Sequence, residues 1–416
     1  MANTDVQVTV IGGGVVGRAT AWQLSKEGIS VRVVDSGEPR FGTSMANAGW
    51  VAPSHIIPFA APGMVSMGIK ELVKRSGAFG VSPSAGPSLA SWTLKFMRAC
   101  TMEHVDRNAP ALNEILQRSM GLFDDLIVNH GLRRTEKALY YIFSSDRAEE
   151  LAHEEHDLFT SHGVGTKLVD VESARRDLPI LKDNVKAVLE LSTDYGIDPR
   201  RFVNLLGELN DGAGVDYRTG ETVKNVVHRA DLVHVTTDKD SWTSDYVVLA
   251  AGTWSHEIAK MVGSSLSLIA AKGHSVTLPN VTNMPDRPMM LAEQRLATNP
   301  EANGYRLSTG FALTSNNDRS INRKAIDKLY ATASEVLHLP PRAANIDPWT
   351  GLRPASPDGL PYIGPLANAP RVITATGHGM IGNMLALGTG AVVADIVQER
   401  PISAEMLKFS PSRPSA

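Results

Sequence analysis

The spacing of apolar residues divides this chain into strand-like and helix-like stretches. Residues 6–11 (VQVTVI) are rich in β-branched side chains, the pattern of a strand buried on both faces of a parallel sheet. A helical stretch, ATAWQLSKEG, and a second apolar strand at 29–34 follow. Residues 88–159 read mainly as helices, interrupted at Pro110 and by a strand at 138–143. Short strands are expected around 163–166 and at 187–191, then a helix at 202–210 behind the turn signal Asp198-Pro199-Arg200. Residues 215–218 and 232–236 read as strands leading into the apolar YVVLAAGTWS, which ends in small residues. Alternation at 272–278, 291–296 and 305–313 predicts an antiparallel sheet, followed by a helix at 326–336 and a strand at 372–375. The last apolar stretch, 380–397, contains Asn383, three glycines and Asp395, so it reads as a buried helix rather than a membrane span.

Composition narrows the class. A chain of 416 residues exceeds one simple core, so two domains are expected, and no internal repeat is visible. With 43% hydrophobic and 20% charged residues it has the balance of an ordinary globular protein. A net charge of -3 leaves no basic footprint for nucleic acid and no general attraction to anionic lipid. Cys100 is the single cysteine, which excludes intramolecular disulfides and cysteine-based metal clusters, and the histidines lack ligand spacing, so no metal is expected. The opening MANTDVQVTVIGGG lacks a basic stretch before its glycines, so no cleaved signal is expected and a cytoplasmic location is the simplest reading.

Between the first strand and the first helix, Gly12, Gly14 and Gly17 fall on G-x-G-x-x-G, with Val15 and Val16 opening the helix. These glycines permit a tight turn, close backbone approach to a pyrophosphate and close helix–strand packing, while free N–H groups at the helix start favour the diphosphate. Asp35 ends the second strand, where a carboxylate can accept both hydroxyls of an adenosine ribose. A nicotinamide domain should continue into further βα units. Here GTSMANAGWVAPS follows instead, and Ser44, Asn47, Ala48 and Gly49 suit contact with a large flat ligand. Ala251 and Gly252 form a second candidate contact at the end of an apolar strand. A second glycine-rich helix start, TGHGMIGNMLALGTG, places Gly377, Gly379, Met380 and Ile381 where backbone can approach the same ligand. The simplest architecture is α/β. A discontinuous Rossmann-like dinucleotide domain takes residues 1–87, 161–262 and 341–416, and an α+β substrate domain with a mainly antiparallel sheet takes 88–160 and 263–340.

Taken in order, VIGGGVVG with Asp35, TSMANAGWVAPSHIIPFAAPG, LAAGTWS, KGHSVTL, TGLRPASPDGLPYIG and TGHGMIGNMLALGTG resemble the D-amino acid oxidase/dehydrogenase-type FAD-dependent oxidoreductases, bacterial D-amino acid dehydrogenases above all. The resemblance covers nearly the whole chain, the middle helical region only in character. It implies extended FAD beneath a substrate sheet, and oxidation of an amine carbon to an imine that water hydrolyses. Such chemistry needs a fixed carboxylate and a neutral amine, with positioning and electrostatics left to the protein. Arg353, in a stiff irregular segment between Gly351 and Pro354, is the expected carboxylate clamp, matching the GLRP-type arginine of the family. Tyr305 is a reinforcing hydroxyl or a core tyrosine. His378 either handles protons, lines the pocket or holds the turn, and His55 is a further pocket candidate. Lys272 is either close to the flavin or a solvated strand end. Cys100 matches no tethering position, so FAD is expected to be non-covalent. A D-amino acid and a quinone or other carrier are the expected partners. Cyclic or secondary amines, oxidase chemistry and a non-catalytic flavin-binding role stand as alternatives. A quinone would require peripheral contact at the inner face of a membrane, with PSHIIPFAAPGMVSMGIKELVKR as the candidate segment and a buried loop and helix as its ordinary alternative.

Overall fold

Val6–Ile11 is the centre of an eight-stranded sheet, paired in parallel with Ser241–Leu249 on one side and Val31–Asp35 on the other. The computed structural model describes residues 5–37, 42–74, 79–82, 86, 88–316, 318–341 and 346–414. Asp216–Thr219 extends the sheet beyond Val31–Asp35, again in parallel. Ser241–Leu249 divides its pairing. Its first half meets Leu232–Thr237 antiparallel, and its second half meets Ala369–Thr376 in parallel. The β-branched interiors of these strands explain their burial, since Val8, Val10 and Val33 are covered on both faces.

Helices Val15–Lys26 and Gly382–Val397 pack against each other beside this sheet, and Met102–His130 lies over the second of them. Their contact depends on missing side chains. A Cβ on Gly390 would stand 2.7 Å from the Ala19 carbonyl oxygen, and one on Gly388 2.5 Å from that of Ile115. Met102–His130 runs unbroken through Pro110, where a break was expected. Pro110 and Asp106 both face solvent, so water can serve the carbonyl that the missing N–H leaves unpaired.

The second sheet has nine strands, ordered from the edge as Asp347–Ala355, Ile269–Leu278, Gly304–Thr314, Leu296–Glu301, Met289–Leu291, Leu139–Phe143, Ala187–Leu191 and Thr166–Val169. Phe79–Val81 adds to Gly304–Thr314 in parallel, and Met289–Leu291 meets Leu139–Phe143 in parallel; the other pairs are antiparallel. Helix Arg323–Val336 covers one face over Val276, Leu278, Tyr305 and Leu307. Three expectations need correction. Residues 291–296 are not one strand: 292–295 connect Met289–Leu291 to Leu296–Glu301. Thr166–Val169, Ala187–Leu191 and Asp347–Ala355 belong to this sheet, although the sequence boundaries grouped them with the dinucleotide unit. Arg353 sits in a regular strand, not an irregular segment, and its neighbours Pro348 and Pro354 are tolerated because this strand is an edge. Among the described residues no helix is long and apolar enough to cross a membrane.

Gly390→Ala is expected to cost about 1–3 kcal/mol through overpacking against Ala19. Urea unfolding followed by circular dichroism checks this, and an unchanged midpoint would show that the two helices can separate without penalty.

Candidate active site

The chain leaves Val6–Ile11 through Gly12, whose φ of 114° lies in the left-handed region. A Cβ there would meet the Ala250 carbonyl oxygen at 2.4 Å, and one on Gly17 would meet the Gly12 oxygen at 1.8 Å. Only glycine fits either place. Helix Val15–Lys26 then begins at Gly14 with no side-chain cap and no acid in its first turn. Its Val16 and Gly17 amides precede any intrahelical acceptor, a geometry receptive to a diphosphate. Asp35 accepts the Gly13 amide at 2.6 Å through Oδ2 and the Gly37 amide at 2.8 Å through Oδ1. Its carboxylate therefore ties the glycine turn to the end of the second strand.

Ser44 joins this helix start to the other one. Its Oγ accepts the Val15 amide at 3.1 Å, and its carbonyl accepts Asn383 Nδ2 at 3.3 Å. Asn47 Nδ2 donates to the Met380 carbonyl at 3.3 Å, while its Oδ1 accepts the Gly49 amide at 2.9 Å. Gly49 has a φ of 81° and passes under Ile197 and Asn299, where a Cβ would come within 2.4 Å and 2.6 Å. Ala48 is half-buried against the core beside it. On the far side, Gly252 (φ 56°) follows Ala251, and its carbonyl accepts Thr376 Oγ1 at 2.8 Å. Gly377 and Gly379 both have positive φ, and the Gly379 amide donates to Pro354 O at 2.9 Å. Met380 is exposed and Ile381 is the uncapped start of Gly382–Val397. The expected cofactor residues thus lie along loops stitched to one another by hydrogen bonds. Glycine turns that exclude side chains, uncapped helix starts and an acid at the second strand end fit an extended dinucleotide.

The second sheet presents Arg353 towards these loops. Gly351, two residues earlier on the same strand face, approaches Thr43, and Leu352 exchanges two hydrogen bonds with Thr43 Oγ1 at 3.0 and 3.1 Å. The Arg353 guanidinium lies across Gly273, where a Cβ would stand 2.1 Å from one of its nitrogens, and donates to Gly310 O at 2.5 Å. By surface area it is half-buried, yet its dense surroundings pull it down to about 10 by desolvation. Among the described residues no carboxylate pairs with it. His274, next to Gly273, is pulled to about 4 by burial, then by the Lys272 and Arg353 charges, and is neutral at pH 7.

Two expected catalytic residues are placed elsewhere. Tyr305 is fully buried in the face covered by helix Arg323–Val336, its hydroxyl donating to Thr298 Oγ1 at 2.6 Å, so it does not share the Arg353 face. His378 turns inward, with Nε2 2.9 Å from Thr389 Oγ1, and burial drives its pKa to about 3. It is a neutral pin between loop and helix rather than a proton handler. Lys272 is also committed, to Asp318 at 2.7 Å and Ser320 at 3.2 Å. His55 is half-buried, with Nδ1 3.2 Å from Ser54 Oγ and its ring edge-on to Trp50. Cys100 packs beside the Trp92–Phe96 cluster, and burial raises its thiol to about 11.

Sequence reading missed Arg306. It is 1% exposed, ion-paired with buried Glu301, and donates to the carbonyls of Met45 at 3.1 Å and Asn47 at 3.4 Å. It locks the second sheet to the loop 43–49. An arginine at an alternate position of an apolar strand was the available signal. Asp35→Ala is expected to weaken FAD binding about tenfold or more, because hydrogen bonds to a charged group are worth about 1.5–3 kcal/mol each. Flavin fluorescence titration of the apoprotein reads this, and an unchanged Kd would remove Asp35 from the cofactor site.

Comparison with known proteins agrees with this geometry. The family described as FAD dependent oxidoreductase (DAO) matches residues 7–396. A D-amino acid dehydrogenase of Vibrio atlanticus is 30% identical over 406 residues, covering 94% of this chain and 96% of that protein. Glycine oxidase from Geobacillus kaustophilus superposes with a TM-score of 0.76 at 19% identity, covering 99% of this chain and all (100%) of the other. L-proline dehydrogenase from P. horikoshii does so with a TM-score of 0.73 at 18% identity, covering 98% and 97%. A family match that spans nearly the whole chain, on glycine turns shaped for a dinucleotide, places this protein among the DAO-type FAD-dependent oxidoreductases.

Proposed function

We propose that the chain oxidises D-amino acids to imines, which water converts to 2-oxo acids and ammonia. The observation that carries this reading is Arg353, a desolvated guanidinium with no described carboxylate partner, on the sheet face that meets the flavin-type loops. A planar fork of donors recognises a carboxylate by two parallel hydrogen bonds and so fixes its rotation. Bound FAD supplies a two-electron acceptor for the hydride of the substrate Cα. The protein's task is to orient that carbon. Arg353 holds the acid end, Gly273 leaves room for its guanidinium, and neutral His274 adds no competing charge at pH 7. Segment 50–60 reaches Phe311, with the Phe59 and Phe311 rings tilted and their centres 4.5 Å apart, and helps to close the site from water.

The relatives support amino-acid chemistry and leave a second substrate reading, since proteins of this shape include a glycine oxidase and an L-proline dehydrogenase. On that reading the substrate is a cyclic or secondary amine such as D-proline, hydroxy-D-proline, glycine or sarcosine. We take FAD to be non-covalent, because Cys100 lies in a separate apolar cluster. We take the acceptor to be a quinone or another carrier. Helices Met64–Lys74 and Ser88–Ala99 expose Ile69, Leu94 and Met97 beside Lys70, Lys95 and Arg98, which supports peripheral contact with an anionic bilayer.

Anaerobic addition of a D-amino acid should bleach the oxidised flavin, and a panel containing D-proline, hydroxy-D-proline, glycine and sarcosine decides between the two substrate readings. Arg353→Ala should raise KM steeply, by a factor equivalent to about 2–5 kcal/mol. Unchanged KM in that variant would sink the clamp. Co-sedimentation with vesicles containing anionic lipid should fall when Leu94 and Met97 are both changed to Ser; equal binding by the variant would rule out this face.

A further inference from the structure

Asp194 carries a buried carboxylate beside Ser54, which lies in the segment that follows the loop 43–49. It is 1% exposed, and among the described residues no lysine or arginine is ion-paired with it. Its hydrogen bonds come from Ser54, whose amide donates to Oδ1 at 3.1 Å and whose hydroxyl donates to Oδ2 at 2.5 Å, and from Thr193 Oγ1 at 3.4 Å. An uncompensated buried carboxylate is costly, so it calls for an explanation beyond packing. Ser54 supplies one. With its proton committed to Asp194, its oxygen can only accept from His55 Nδ1, 3.2 Å away. That sets the His55 tautomer to Nδ1–H and leaves Nε2 as a bare acceptor, which has no hydrogen-bond partner among the described residues. His55 sits on the strap 50–60, fixed at one end by the Trp50 indole donating to Thr298 O at 3.0 Å. At the other end Phe59 packs on Phe311, the residue after Gly310, which holds the Arg353 guanidinium.

We propose that Asp194, Ser54 and His55 form a proton relay whose outer end, His55 Nε2, takes the proton that a substrate ammonium must lose before its Cα hydride can leave. This rests on the amino-acid reading above. The N–H bond of the ammonium breaks as Nε2 of His55 takes the proton. His55 Nδ1 passes its own proton to Ser54 Oγ, and Ser54 passes its hydroxyl proton to Asp194. One proton enters the chain and one reaches the carboxylate; the amine is left neutral, His55 is neutral with hydrogen on Nε2, and no electrons move. After product leaves, the same shifts in reverse release the proton to water. Asp194 and Ser54 are positioning and relay residues, and His55 alone of the three meets the substrate.

The surroundings suit the task. Burial pushes Asp194 up to about 7, against the hydrogen bonds from Ser54 and Thr193, and burial pulls His55 down to about 4. The Tyr141 hydroxyl feels the charges of both Asp194 and Glu155, with Arg295 opposing them. Glu155 is itself raised by burial, with Arg295 lowering it. At pH 7 His55 is therefore neutral and able to accept. Asp194 receives a proton only when ionised, so the relay works above about pH 7 and is lost as pH falls through that value.

The test compares holoenzyme with Asp194→Asn, Ser54→Ala and Asp194→Glu. In the parent, kcat/KM should fall on the acid side of about pH 7. Asp194→Asn and Ser54→Ala should lose about 100-fold or more in flavin reduction rate, the usual worth of a positioned proton acceptor. In Asp194→Asn that acid limb should also vanish, while Asp194→Glu restores part of both. Propionate, a carboxylate without an amine, should bind Asp194→Asn as it binds the parent, since Arg353 is untouched. Infrared difference titration of the oxidised holoenzyme gives a readout without turnover. A carboxylic C=O band should grow in as pH falls through about 7 and be missing in Asp194→Asn. Absence of that band in the parent, or an Asp194→Asn enzyme with the parental rate and pH profile, overturns the relay. An enzyme whose flavin no amino acid reduces overturns the functional reading instead.

Discussion

Ser44 holds two helix starts together, and the site depends on that junction. Its hydroxyl accepts the Val15 amide and its carbonyl accepts Asn383, so the first turns of Val15–Lys26 and Gly382–Val397 lie within reach of one residue. The helices can come that close because Gly390 brings no side chain against the Ala19 carbonyl. Two helix N-termini in one place present fixed partial positive charge side by side. Segments almost a full chain apart thereby meet at one residue.

The same economy of side chains governs the substrate side. Gly273 leaves the space that the Arg353 guanidinium crosses, and Gly351 lets the edge strand reach Thr43. Arg306 reaches from the neighbouring strand to the carbonyls of Met45 and Asn47, with Glu301 neutralising its charge. The sheet and the loop 43–49 are thus fixed relative to each other by a buried arginine, while Arg353 has no carboxylate partner among the described residues.

Histidines illustrate why residue type alone misleads. His378 stands between two glycines in the most conspicuous motif of the chain, yet its ring turns to Thr389 and burial keeps it neutral. His55, in a less conspicuous stretch, has one nitrogen fixed by Ser54 and the other without a hydrogen-bond partner among the described residues. Imidazole chemistry follows from the direction each nitrogen faces, and that direction is a property of packing.

Local pattern determined a good deal. The β-branched runs of Val6–Ile11 and Val31–Asp35, the glycines at 12, 14 and 17, and the acid at Asp35 are features of short range, so strand, turn and helix were legible from neighbours in the chain. The arginine of GLRP stood out only through its likeness to a family motif. What lay beyond reach were facts of long sequence separation. Strand pairing decided that Asp347–Ala355 is an edge of the second sheet, and sheet face decided that Tyr305 and Arg306, adjacent in sequence, have opposite surroundings. Asp194 and Ser54 meet across 140 positions of chain. A one-dimensional pattern records which residues are apolar and how often they recur. Which of them share a face, and which charge is left without a partner, is settled only when distant segments close on one another and desolvate what lies between them.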